Sequence, residues 1–83
     1  MIIKILGIGC ANCKNLEKLA REVAVSTGLS PTFEKVTDLP SIMGYGVMST
    51  PALVINDEVM STGRVPSRGE ITGWLQKAAA TQA

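Results

Sequence analysis

Three observations predict an α/β fold built on a mixed sheet. The chain opens on Met1–Leu6, an isoleucine-rich run that is apolar at nearly every position. A strand of that kind is covered on both faces, and helices cover both faces of a sheet only in layered α/β folds. A helical stripe follows at once, with Leu16, Leu19, Ala20 and Val23 at i, i+3, i+4 and i+7. Strand-like and helix-like segments then alternate as β-α-β-α-β-β-α, which gives a central four-stranded mixed sheet with helices on both faces.

Each element has its own local cause. On the first helix, of about four turns, Lys14, Glu17, Lys18, Arg21 and Glu22 form the polar face; Gly28 stops it and Pro31 prevents a restart. Thr32–Val36 is a short β segment around Phe33, placed toward an edge because Glu34 and Lys35 interrupt it. Asp38 is the expected N-cap of a short helix that carries Pro40 in its first turn and ends near Tyr45. Ala52–Ile55 is an apolar strand, Asn56-Asp57 a tight turn, and Glu58–Thr62 the returning strand of a hairpin. Ser67 and Glu70 make a capping box for a last helix whose buried stripe is Ile71, Trp74, Leu75 and Ala78. Residues 79–83 are expected to fray.

Eighty-three residues form a single domain, 1–83, with a modest core, since a chain of this length buries only about 60% of its unfolded surface. Hydrophobic residues at 46% and charged ones at 18% exclude a disordered chain. A net charge of +1 without a basic run gives no reason to expect nucleic acid or an anionic membrane as partner. The opening apolar run is too short for a signal-peptide core, and no segment approaches the roughly 20 apolar residues of a membrane span. A cytoplasmic location is the default expectation, and the chain is expected to be a monomer.

Cys10-Ala11-Asn12-Cys13, at the junction of the first strand and the first helix, is the most informative motif. Residues i and i+3 of a helix share a face, so the two sulfurs come within reach of one another. A helix N-terminus offers unpaired N–H groups and the positive end of the dipole, both of which favour thiolate. A disulfide closing so small a loop constrains the unfolded chain very little, which argues for reactivity and against a structural staple. Cys10 precedes the helix beside Gly9 and is expected to be the more exposed sulfur, whereas Cys13 begins the buried stripe. Lys14 is near enough in sequence to stabilise a thiolate.

A second motif, Tyr45-Gly46-Val47-Met48-Ser49-Thr50-Pro51-Ala52, places a proline immediately before an apolar strand. Taken with the cysteines and the order of elements, it resembles the thioredoxins. The similarity is closest to the small redox-active disulfide proteins, which keep a minimal thioredoxin-like fold, and it covers nearly the whole chain. The resemblance implies a thiol–disulfide oxidoreductase with Cys10 as nucleophile and Cys13 as resolving thiol. It also implies a cis Thr50–Pro51 peptide packed over the disulfide, whose backbone pairs with substrate, and Gly63 near the same surface. Ala11, Asn12 and Met48 complete the expected substrate-binding set. No cofactor is implied beyond a redox-active Cys10–Cys13 disulfide. The implied partners are a protein or small-molecule disulfide and a reductase that restores the dithiol.

The chain also departs from the family. Gly9 stands where thioredoxins carry Trp, and Ala11-Asn12 where they carry Gly-Pro. There is no clear counterpart to the buried acidic residue thought to assist proton transfer in thioredoxins. Thr62-Gly63-Arg64 replaces the Gly-Gly and acidic residue with which glutaredoxins hold glutathione. The rival reading is a soft-metal carrier, because two thiolates suit Cu(I) or Zn(II). Against it stand Ile8, where heavy-metal-associated domains have Met, and the terminal helix, where they end on a strand. An adaptor that binds partners without turnover is a third class, disfavoured by the presence of both thiols.

Overall fold

The computed structural model describes residues 1–8 and 11–81. Among them the chain forms β1 (Ile2–Leu6), α1 (Ala11–Ser26), β2 (Thr32–Val36), α2 (Leu39–Gly44), β3 (Ala52–Ile55), β4 (Glu58–Thr62) and α3 (Arg68–Thr81). The order β-α-β-α-β-β-α is the one expected from the sequence.

The strands lie in the order β2-β1-β3-β4. β1 pairs in parallel with β2, putting Ile5 beside Lys35, and antiparallel with β3, putting Leu6 beside Ala52. The β3–β4 hairpin is antiparallel, with an irregularity between Leu53 and Val54. Its turn residues Asn56 and Asp57 both have positive φ, as a two-residue turn of this hand requires. The turn is tied to β1 in both directions: Ile2 N–H donates to Asn56 Oδ1 at 3.0 Å, and Asn56 N–H donates to the Ile2 carbonyl at 2.9 Å.

Two apolar clusters hold the layers together. Ile3, Ile5, Leu53 and Ile55 face Leu16, Ala20 and Val23 of α1 and Ile71 and Leu75 of α3. On the other face Leu6, Ala52 and Val54 pack with Ile42 of α2 and Val47. Trp74 is half-buried against the larger cluster.

Two sequence expectations need correction. β1 is not covered uniformly on both faces: α2 is only six residues long, and Ile2 remains exposed while Lys4 is half-buried. Lys4 is instead held by polar partners, donating to Tyr45 Oη at 2.7 Å and lying 3.6 Å from Asp57. The hydrogen bond to Tyr45 is the main reason its pKa is raised above the ordinary lysine value. The last helix also continues through Thr81, beyond the point where fraying was expected, and residues 82–83 lie outside the described residues.

Candidate active site

The motif sits where β1 hands over to α1. Gly7 N–H donates to the Val36 carbonyl at 3.0 Å, extending the ladder one residue past the end of β1. α1 begins at Ala11, and Cys13 is its first buried residue, 7% exposed, one turn before the fully buried Leu16. Cys13 is disulfide-bonded. Ala11, Asn12 and Lys14 are exposed around it. Cys10, expected to be the nucleophile, lies outside the described residues.

Gly7 brings the two motifs together. A Cβ added at Gly7 would collide with Cys13 Sγ, and would stand 3.7 Å from the Thr50 Cβ. The absence of a side chain there lets the backbone at Gly7 come close to both the buried cysteine and Thr50. The Thr50–Pro51 peptide is cis, with Pro51 buried and Thr50 exposed. On its other side the Pro51 carbonyl accepts from Gly63 N–H at 2.9 Å. Gly63 has φ +71, and a Cβ there would lie 3.0 Å from the Ser49 Cβ, so this position too is shaped for glycine.

The structure therefore gathers Cys13, Thr50, Pro51 and Gly63 into one neighbourhood. Met48 is 92% exposed, with almost no packing role, and Ile8 is 66% exposed. An exposed apolar side chain thus stands two residues from Thr50, and another two residues before Cys10.

Beside Cys13 lies a cavity of about 170 Å³ that Ile5, Gly7 and Thr37 also line. Cys13 shares the cavity with Lys14, Glu17 and Lys35. Lys35 Nζ lies 3.0 Å from Glu17 Oε1, and Arg21 pairs with Glu17 Oε2, also at 3.0 Å. The Lys35 hydrogen bond, helped by Arg21, holds the Glu17 carboxyl below the usual carboxylate range. The sequence pattern puts Glu17 and Arg21 on the polar face of the first helix and marks Lys35 only as an edge signal. Two patterns carried the missing information: Glu17 is at i+4 from Cys13, and Lys35 shares a strand face with Phe33. No local pattern in the sequence marks Gly7 or Ser49 as part of the site.

Comparison with known proteins gives a consistent result. Residues 1–76 match the Thioredoxin domain family. A thioredoxin of Methanothermobacter thermautotrophicus is 42% identical over 71 residues, an alignment that covers 86% of this chain and 92% of that protein. A thioredoxin of Methanocaldococcus jannaschii is 30% identical over 71 residues, covering 86% of this chain and 81% of the relative. A probable thioredoxin of Archaeoglobus fulgidus is 35% identical over 71 residues, with 82% and 77% covered.

Proposed function

This chain belongs to the thioredoxin domain family and is a thiol–disulfide oxidoreductase in kind, and from that premise we propose that it reduces or exchanges disulfides through Cys10 and Cys13. The observation that carries the reading is the convergence at Gly7, where Cys13 and the Thr50–Pro51 strip approach one backbone position. The disulfide-bonded state of Cys13 supports it further.

The Cys10 thiolate attacks a sulfur of the substrate disulfide, and the other substrate sulfur leaves as thiolate. Cys13 then loses its proton and attacks Cys10, releasing the second substrate thiolate and forming the Cys10–Cys13 disulfide. Two electrons pass from the protein thiols to the substrate, and a reductase returns the protein to the dithiol. Substrate lies along Thr50, Pro51 and Gly63, with Ala11 and Asn12, the residues between the two cysteines, and exposed Met48 as further contacts. The enzyme works as a cytoplasmic monomer, on a protein or small-molecule disulfide.

Purified protein supplied with dithiothreitol should reduce the disulfides of insulin, and aerobic protein should contain one intramolecular disulfide. Tight stoichiometric binding of Cu(I) or Zn(II) without any disulfide reduction would favour the metal-carrier reading. A titration against glutathione buffers gives the direction of electron flow. A potential near about −270 mV marks a reductant, and one near about −120 mV an oxidant.

A further inference from the structure

Charges on this molecule are unevenly matched. Arg64 pairs with Glu70 and Arg68 with Glu22, while Lys4 lies between Glu34 and Asp57. Beside the buried cysteine the matching fails. Lys14, Lys18 and Arg21 recur at i, i+4 and i+7 along α1, and Lys35 joins them from β2. One carboxylate serves all four. Glu17 meets Arg21 and Lys35 at 3.0 Å each, and among the described residues Lys14 and Lys18 meet no carboxylate. Four cations and one carboxylate give this band +3 on a chain of net charge +1, so the other four cations and six carboxylates leave −2 elsewhere.

Helix stability alone would not select this arrangement. α1 has no acidic residue in its first turn and no basic residue in its last, the reverse of what the macrodipole favours. Lys14 stands in that first turn, and Lys18 follows at the spacing where like charges disfavour a helix. All four cations are exposed, and the side chains of Arg21 and Lys35 remain 53% and 64% exposed even while paired. The band also borders the reacting centre: Lys14 follows Cys13 in the chain, and Lys14 and Lys35 line the same cavity as Cys13. Asp57 and Glu58 sit at the β3–β4 turn, the end of β3 remote from Thr50–Pro51. The molecule is thus polarised, with its positive pole toward the cysteines, and such a field turns an approaching anion toward that end. A local rule broken beside a reactive group points to a partner and not to folding.

We propose that the band of Lys14, Lys18, Arg21 and Lys35 docks acidic polypeptide and so selects protein disulfides flanked by aspartate and glutamate. The inference rests on the exchange reading above and names its substrate class. Carboxylates beside the target disulfide meet the band while the disulfide itself meets the sulfurs. Exposed charges of this kind act chiefly on the rate of encounter, so the selection appears in the second-order rate.

Three synthetic peptides test this with the reduced protein. Each is closed by one intramolecular disulfide, and they differ only in flanking residues, which are Glu, Gln or Lys. Rates are read by acid quench and chromatography of the reduced peptide. At about 10 mM salt the Glu peptide should react about ten- to a hundredfold faster than the Lys peptide, with the Gln peptide between them. Most of that advantage should vanish at about 1 M salt, where the screening length is only about 3 Å. Lys18→Glu should lower the Glu-to-Lys rate ratio by about three- to tenfold. Lys77→Glu makes the same change of net charge on α3, outside the band, and should leave the ratio at its wild-type value. Equal rates for the three peptides, a preference for the Lys peptide, or a preference that survives unchanged at high salt would overturn the proposal. So would an equal loss of selectivity in Lys77→Glu. Failure to reduce any of the peptides would instead overturn the exchange reading itself.

Discussion

Gly7 is the residue on which the site's geometry turns, and it makes a direct prediction. Gly7→Ala places a methyl group against Cys13 Sγ, a contact that cannot form without moving α1 or the strand end. Overpacking of this kind costs about 1–3 kcal/mol, so urea unfolding should show a loss in that range. The same variant should also turn over insulin more slowly, since the backbone that must shift stands close to both Cys13 and Thr50. Gly63→Ala is expected to be milder in contact but strained in backbone, because its φ of +71 suits glycine whatever the space. At this scale the cysteine spacing and the proline ahead of a strand were legible, because each is a local pattern with a chemical meaning. Gly7, Glu17 and Lys35 were not read as site residues, since their importance depends on which strand lies beside which.

Among the elements, the helices were most legible where caps announced them. α1 closes with Gly28 at φ +75, Leu29 N–H donating to the Ala24 carbonyl and Gly28 N–H to the Val25 carbonyl, the paired bonds of a glycine-terminated helix. Asp38 caps α2 by accepting from Ser41 N–H at 3.1 Å. In α3 the capping box is complete: Glu70 N–H donates to Ser67 Oγ and Ser67 N–H to Glu70 Oε1, both at 3.1 Å. Ser67→Ala should therefore destabilise the protein by about 0.5–2 kcal/mol, seen as a lower Tm. Glu70 also pairs through both carboxylate oxygens with Arg64, and this pair, ahead of the Ser67 N–H, lowers its pKa from 4.5 to about 2. A depressed carboxylate pKa stabilises the fold fully above the unfolded value and loses that contribution as pH falls through the folded one. The Glu70 contribution should thus be present above about pH 4.5 and vanish toward pH 2. Thermal unfolding of Glu70→Gln across this window should show a weaker pH dependence than the parent. What remained illegible was the unequal cover of β1, because the reach of a six-residue α2 across the sheet is a tertiary property.

For the whole molecule, the sheet order β2-β1-β3-β4 puts β1 at the centre, so that its exit and the entrance of β3 lie side by side at one edge. That adjacency brings the Cys motif and the Thr50–Pro51 strip together. Leu53, fully buried on the α1 and α3 side, anchors β3 in this arrangement. Leu53→Ala should cost about 2–5 kcal/mol in denaturant unfolding, a large share of the stability of so small a domain. Among the described residues, no helix is long and apolar enough to cross a membrane.

The central claim is that Cys10 attacks and Cys13 resolves, and trapping of mixed disulfides tests it most directly. Cys13→Ser and Cys10→Ser proteins are each incubated with disulfide-containing substrate, quenched by alkylation and resolved without reductant. The account predicts abundant trapped complexes with Cys13→Ser, because nothing remains to displace the substrate from Cys10, and almost none with Cys10→Ser. Trapping by Cys10→Ser in place of Cys13→Ser, or by neither, would contradict it.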